Sequence, residues 1–266
     1  MDDEQVARGT DVVRLDFPDC DIWIRASSPA EKNWRTRSCA KEPWTVEWLR
    51  GAVRPGEVLY DVGANVGTYA LVAAKHAQAR VVAFEPGYAN FARLCDNIRL
   101  NGCQHAIVPV PLPLAERSGL VGFTYRGIEP GQSRHKMKSE PWRFRGAAAG
   151  TRYEQPLLAM TLDAMIAAFD LPRPHHLKID VDGAEDRVLA GAPDTLRSET
   201  LRTVLIEVDR VQWSGVSSLL ERAGLSLDTR IERRKADAPE YGLFVRRPAP
   251  HRPSRWWTFL HNTSRP

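Results

Sequence analysis

The pattern of apolar and polar positions changes character near residue 57. Before Arg50 no period is sustained, apart from a short apolar stretch at Ile22–Ile24 that suits a strand and a helical spacing over Trp44–Leu49. Residues 1–50 therefore read as an edge or lid segment in front of the core. From Glu57 onward, short apolar runs alternate with helix-length segments: Val58–Val62, Val81–Glu85, Ile107–Leu112, Leu177–Val181 and Val204–Val208. Runs this apolar suit strands covered on both faces, and the lengths between them suit right-handed crossovers. The expected fold is α/β, a doubly wound, Rossmann-like and mostly parallel sheet over residues 51–247, with Tyr241–Val245 as a late antiparallel strand. Two stretches break the rhythm. Gly127–Gln155 is glycine-rich and basic, and a loop of that length is usually functional or disordered. The stretch from Arg246 to Pro266 is rich in proline and arginine, carries Trp256 and Trp257, and reads as a flexible tail, residues 248–266 in particular.

Composition adds little to this picture. With 266 residues, 43% hydrophobic and 26% charged, the chain suits one large folded domain and not wholesale disorder. A net charge of +4 tolerates an acidic partner without requiring one. The four cysteines, Cys20, Cys39, Cys95 and Cys103, lack the spacing of a zinc site and the density of a disulfide scaffold, so free thiols are expected. The N-terminus is polar and acidic, unlike a secretory signal, and no apolar run is long enough to span a bilayer, so a cytoplasmic enzyme is the expectation.

The sharpest feature is Val58-Leu59-Tyr60-Asp61-Val62-Gly63-Ala64-Asn65-Val66-Gly67-Thr68-Tyr69, a buried strand passing through a glycine turn into a helix. Gly63 and Gly67 let the backbone turn tightly and approach a ligand, while the helix start offers free N–H groups. The second strand ends at Glu85, where a carboxylate can accept hydrogen bonds from both ribose hydroxyls. A nicotinamide cofactor requires glycine two positions after Gly63, and Asn65 stands there instead. Asp61, just before the turn, suits the ammonium of a methionine moiety, which favours S-adenosylmethionine. The cofactor residues expected are thus Asp61, Gly63, Asn65, Gly67 and Glu85; the bland alternative is a turn serving packing alone.

Asp61-Val62-Gly63-Ala64-Asn65-Val66-Gly67, then Phe84-Glu85-Pro86, then Leu177-Lys178-Ile179-Asp180-Val181-Asp182-Gly183-Ala184-Glu185 together resemble the FkbM-type methyltransferases. Thr161-Leu162-Asp163 and Leu205-Ile206-Glu207-Val208 support the resemblance, which covers roughly Glu57 to Val245. It implies a class I methyltransferase fold and an S-adenosylmethionine-dependent enzyme, mostly O-methylating sugars, glycans or natural-product hydroxyls. Asp182 stands where the family more often has Glu. The proline-rich Pro109–Pro113 departs from the pattern at the adenine-facing wall, so no adenine contact is carried over and Leu114, Ala115 and Glu116 mark only the neighbourhood.

Methyl transfer needs an aligned acceptor and a group to take its proton. Ligands of open α/β sheets bind beyond the carboxyl ends of the strands, which selects Asp180 and Glu207 as catalytic candidates, with Lys178 two residues before Asp180 on the same strand face. The plain alternative for Lys178 and Asp180 is a structural ion pair, and for Asp182 and Glu185 a helix cap with its return contact. Asp180, Glu207 and Asp209 could hold a divalent cation, although no metal is the favoured reading. His175 and His176 precede the fourth strand and read as surface residues remote from the crevice.

Gln132–Lys138 lies where the fold places an acceptor lid, and Arg134, Lys136 and Lys138 suit a phosphate or an acidic sugar, or a merely solvated loop. The expected partner is a small-molecule or glycan hydroxyl. Two other classes compete. A nucleic-acid methyltransferase is suggested by the basic balance but lacks the Pro-Pro-Tyr type of signature after Asp180. A non-catalytic cofactor-binding module would use the tail Arg255–Leu260 to dock on a membrane or protein.

Overall fold

The structure is a computed structural model that describes residues 11–143, 153–233 and 238–247. The expected tail, residues 248–266, and its Trp256 and Trp257 lie outside the described residues. The N-terminal segment forms a hairpin, β1 (Val12–Arg14) and β2 (Trp23–Arg25), then a π-helical turn at Glu31–Arg35, a short helix α1 (Ser38–Lys41) and α2 (Pro43–Ala52). Leu15, Phe17, Ile22 and Ile24 join the same buried cluster as Leu59 and Leu71, so this segment is part of the core's cover. Asn97 and Asn101 bind it in place: their side-chain oxygens accept from the Arg25 and Trp23 N–H groups, each at 2.9 Å.

The central sheet follows: β3 (Val58–Val62), α3 (Thr68–Lys75), β4 (Arg80–Phe84), α4 (Tyr88–Leu100) and β5 (Ile107–Val110). Next come three strands of a separate sheet, β6 (Gly119–Thr124), β7 (Lys136–Pro141) and β8 (Glu154–Ala159), then α5 (Leu162–Phe169) and β9 (His176–Ile179). The chain continues through α6 (Glu185–Ala190), α7 (Pro193–Arg197), β10 (Thr203–Val208), α8 (Trp213–Arg222), β11 (Ser226–Ile231) and β12 (Glu240–Val245). Seven strands lie in the order β11-β12-β10-β9-β3-β4-β5. The pairs of β3, β4, β5, β9 and β10 are parallel, and β12 runs antiparallel to both β10 and β11.

The apolar strands are buried on both sides because alternate residues serve two different cores. Val58, Tyr60 and Val62 pack with Leu162, Val188, Leu196 and Val216 of α5 to α8. Leu59 faces the other way, with Trp48, Leu71 and Leu94 of α2, α3 and α4. Asp61 shares the parity of Leu59, which sets a carboxylate on that second face at the strand's carboxyl end.

Gly127–Gln155, expected as an unstructured loop, instead carries β7 and the start of β8, which flank β6 in a three-stranded antiparallel sheet. Residues 144–152 lie outside the described residues. The strands were hard to read because the buried apolar side chains described on them are just Val121, Phe123 and Ala159, with Gly119 and Gly122 interrupting β6. Arg187 of α6 fastens this sheet to the domain, pairing with Glu116 at 2.7 Å and donating to the carbonyls of Met137 and Lys138. Arg246, assigned above to the tail, is anchored too, donating to the carbonyls of Leu201 and Ala223. All four cysteines are free, and among the described residues no helix is long and apolar enough to cross a membrane.

His176 corrects another expectation. It does sit at the amino end of its strand, away from the crevice, but it is 1% exposed and not a surface residue. Trp48 Nε1 donates to Thr203 Oγ1 at 2.9 Å, so the Thr203 hydroxyl proton is free to go to His176 Nδ1 at 2.8 Å. That fixes the tautomer with a proton on Nε2, which donates to Glu57 Oε2 at 2.8 Å. Burial holds His176 below its ordinary value of 6.5 despite the Glu57 carboxylate. A histidine whose folded pKa is depressed binds fewer protons folded than unfolded. Its contribution is therefore full above pH 6.5 and lost as pH falls below it. Glu57 acts in the same sense at lower pH: burial opposes its charge, but the hydrogen bonds from His176 and the Arg54 N–H, together with the nearby Arg202 charge, outweigh burial and hold it below 4.5. Urea midpoints are expected to fall as pH drops below 6.5, and His176→Asn is expected to flatten that part of the profile. An unchanged slope in the variant would remove this network from the account. Thr203→Val, which orphans the Trp48 N–H and His176 Nδ1, is expected to cost about 1–3 kcal/mol at pH 8 in the same titration.

Candidate active site

The turn after β3 is shaped by its neighbours. Gly63 has φ +87°, and a Cβ there would lie 1.9 Å from the Asp180 carbonyl oxygen, so the end of β9 itself demands glycine. Gly67 (φ +89°) precedes α3, and a Cβ on it would meet Leu94 Cδ1 at 2.5 Å. Both glycines thus have packing reasons, and Gly63 in addition lines a cleft of about 600 Å³, measured with its open mouth. Asn65, also left-handed at φ +52°, and Glu85 line the same cleft. Glu85 is 4% exposed and accepts from the N–H groups of Asn65 and Gly87, each at 2.8 Å. Burial pushes its pKa up to about 7, against these hydrogen bonds.

Leu112, Pro113 and Leu114 form one wall, so the proline-rich end of β5 does face the cleft, whereas Glu116 is committed to Arg187. The roof comes from the segment between β6 and β7: Gln132, Ser133 and His135, with Met137 of β7. It is pinned from several sides. The Gln132 carbonyl accepts from Asn65 Nδ2 at 2.8 Å and Asn90 Nδ2 at 3.0 Å, and Gly131 N–H donates to Asn90 Oδ1 at 2.8 Å. Arg134 N–H donates to Asp182 Oδ2, and Lys136 Nζ to the Asp182 carbonyl, each at 2.6 Å. Lys138 pairs with Glu154. Of the three lid cations expected to face an acceptor, two are therefore committed to partners inside the protein, and Arg134 is exposed. Burial and the Arg35 charge hold the His135 ring neutral, with its pKa lowered to about 4.

Beyond the carboxyl ends of β3, β9 and β10 lies a buried charge cluster. Lys178 is 2% exposed, and its Nζ stands 3.5 Å from Asp61 Oδ1, 3.4 Å from Asp180 Oδ2 and 5.2 Å from the centre of the Tyr69 ring. Burial works against that ammonium, but the Asp180 and Asp61 carboxylates outweigh it and hold its pKa above the lysine range. Burial would raise Asp180 as well; the Lys178 charge and a hydrogen bond from Glu207 overrule it and keep Asp180 ionised. Glu207 takes the opposite course. Burial, the Asp180 charge and the shared hydrogen bond hold it protonated, well above the usual carboxylate range. The pair is an anion with a neutral donor beside it.

Asp61 lies beneath the floor, 1% exposed, with no hydrogen-bond donor to either carboxylate oxygen among the described residues. Burial raises its pKa and Lys178 only partly offsets this. Glu185 accepts from the N–H groups of Val181 and Gly183, which flank Asp182. Asp182, at φ +59°, is no helix cap: it grips the roof instead. Among the described residues no group of three or more His, Cys, Asp or Glu is arranged to hold a metal ion. The structure thus brings Gly63, Asn65, Glu85 and Asp180 to one cleft, with Lys178, Glu207 and Asp61 around and below its acidic end, and leaves Gly67 in a packing role. Sequence reasoning missed Asn90, five residues after Glu85 in the first turn of α4, and gave no individual role to Gln132 and His135, whose segment it read as an acceptor lid; all three line the cleft.

Residues 61–230 match the Methyltransferase FkbM domain. The hexuronic acid methyltransferase AglP of Haloferax volcanii is 28% identical over 76% of this chain and 78% of its own length. Methyltransferase sdnD of Sordaria araneosa is 29% identical over 64% of this chain and 73% of its own. The 31-O-demethyl-FK506 methyltransferase FkbM of Streptomyces tacrolimicus is 29% identical over 62% of this chain and 70% of its own. With the glycine turn, Glu85 and the buried Lys178 cluster inside the matched region, the chain belongs to the FkbM methyltransferase family.

Proposed function

We propose that the protein is an S-adenosylmethionine-dependent O-methyltransferase acting on a hydroxyl of a sugar, glycan or natural product. The carrying observation is that one cleft joins an acid at the end of β4, Glu85, to an ionised Asp180 flanked by a protonated Glu207. The residues fit the cofactor. Gly63 and Asn65 bring backbone to the cleft, Glu85 is placed to accept from ribose hydroxyls, and Leu112 to Leu114 offer an apolar wall for a purine. Asp61, whose two buried oxygens accept no hydrogen bond and whose Oδ1 lies 3.5 Å from Lys178 Nζ, offers a carboxylate for a methionine ammonium, directly or through water. The relatives named for a hexuronic acid and for an FK506 precursor point to the acceptor class.

When bound, S-adenosylmethionine supplies an electrophilic methyl group. The protein's task is to align the acceptor oxygen and take its proton. Asp180 is a weak base because Lys178 and Glu207 stabilise its anion. A weak base suffices, since the hydroxyl proton becomes strongly acidic as the oxygen acquires a third bond. Glu207 keeps Asp180 fixed by donating to it, and the Lys178 charge favours the ionised form of Asp180 and partly offsets the burial of Asp61. Gln132, Ser133 and His135 cover part of the cleft.

Calorimetry with S-adenosylhomocysteine tests the cofactor assignment, and absence of binding to folded protein would overturn it. Affinity is expected to fall as pH drops below about 7, where Glu85 takes up a proton. Glu85→Gln is expected to bind about 10- to 150-fold more weakly at pH 8 and to lose that pH dependence.

Methyl transfer from labelled donor to a panel of uronic-acid and neutral glycans tests the chemistry. Asp180→Asn is expected to lower turnover about 10²- to 10⁴-fold with homocysteine-product affinity changed only a few-fold. Glu207→Gln keeps a neutral donor beside Asp180 and is expected to retain most of the activity. Equal losses in the two variants would show that the proton does not reside on Glu207.

A further inference from the structure

Arg35 stands out among the charged groups near the cleft. It closes the π-helical turn Glu31–Arg35, a conformation often found at functional sites. That turn is firmly held. Glu31 is fully buried, accepts from the N–H groups of Ser27 and Ser28, and pairs with Arg93 Nε at 3.0 Å. Gly131 (φ +83°) packs so closely on it that a Cβ would lie 2.9 Å from Glu31 Cγ. From there Arg35 Nε donates to the Gly131 carbonyl at 2.9 Å, next to Gln132 in the roof. Its charge acts on Glu85, His135, Asp180 and Asp182, all four of which line the cleft. Arg35 Nε thus sits beside the roof segment, on the carbonyl next to the cleft-lining Gln132. Among the described residues its guanidinium has no carboxylate within salt-bridge reach, and the Nε contact leaves the remaining N–H groups of the fork uncommitted.

The acidic floor suits the cationic parts of S-adenosylmethionine, but the same molecule carries a carboxylate at its methionine end. Next to Asp61, Asp180 and Asp182 that carboxylate needs a cation. Lys178 is already shared between Asp61 and Asp180, and Lys136 donates to Asp182. A half-buried arginine offering a planar fork matches a carboxylate in two-point geometry. Resting on the cofactor assignment above, we propose that Arg35 is the residue that binds the carboxylate of the cofactor's methionine end. By donating at the same time to the Gly131 carbonyl, it also ties the roof to the bound ligand.

Two ligands differing in the amino-acid end separate this role from a structural one: S-adenosylhomocysteine has the carboxylate, and 5′-methylthioadenosine lacks the whole amino-acid end. Arg35→Gln keeps a donor for the Gly131 carbonyl but removes the charge. By calorimetry it is expected to bind S-adenosylhomocysteine about 10- to 150-fold more weakly, with 5′-methylthioadenosine affinity changed less than about twofold. Arg35→Lys, which restores the charge without the fork, is expected to recover part of the loss. If Arg35→Gln weakens both ligands equally, Arg35 only holds the roof and the proposal falls. If it weakens neither, the carboxylate is bound elsewhere and the proposal falls again. Wild-type protein that binds neither ligand would instead overturn the cofactor assignment itself, and this inference with it.

Discussion

The site is organised around a single ammonium group that has been taken out of water. Lys178 is buried at the carboxyl end of β9, and burying a charge of that kind costs several kcal/mol unless partners compensate. Asp61 comes from β3, the adjacent strand, where the two residues are direct register neighbours. Asp180 comes two residues further along the same strand as Lys178. One cation thus fixes the charge state of the carboxylates around it. Asp180 ionises, Glu207 keeps its proton because a second anion in contact with Asp180 is unaffordable electrostatically, and Asp61 is left with less compensation than its burial demands. The floor sets two carboxyl side chains, Asp61 and Asp180, against one ammonium, Lys178, an arrangement that suits a cationic ligand.

That arrangement depends on strand parity and on a glycine. Alternation along β3 sends Tyr60 and Val62 to the apolar cluster beneath α5 to α8, and Asp61 to the opposite face. The end of β9 then passes so close to the turn after β3 that only Gly63 fits against the Asp180 carbonyl. The glycine read as a cofactor residue is equally the residue that lets the acidic strand end come alongside. One requirement serves both packing and ligand approach, so a packing role and a binding role at Gly63 are not alternatives.

Legibility in the sequence followed burial. β3, β4, β9 and β10 are covered on both faces, so their apolar runs are uninterrupted and could be placed within a residue or two. β11 was missed because Ser226–Ile231 is an edge strand with mostly exposed residues, and β6 to β8 because their apolar positions are few. Among site residues, Asp61, Gly63, Glu85, Lys178 and Asp180 announce themselves through carboxylates, glycine or lysine inside apolar runs, where such residues need a reason. His176 failed that test only because it begins its strand, where a polar residue is ordinary; its burial comes from Trp48 and Thr203, 128 residues before and 27 after it in the chain. Asn90, Gln132 and Arg35 sit in stretches where polar residues are unremarkable, and only tertiary contact reveals them.

The roof shows why those residues matter together. It is supplied by the inserted three-stranded sheet but held by groups from elsewhere: Ser28 and Arg35 from the N-terminal segment, Asn65 from the turn, Asn90 from α4 and Asp182 from the end of β9. Each such hydrogen bond contributes only about 0.5–1.5 kcal/mol net. Acting on one short segment from several directions, they make the closed roof a cooperative unit that must release most of them to open. Asn65 and Asp182 belong to the ligand-facing turns themselves, so whatever occupies the cleft bears on two of the roof's anchors. Entry to the site and the positioning of its charges are in this way functions of the same few contacts.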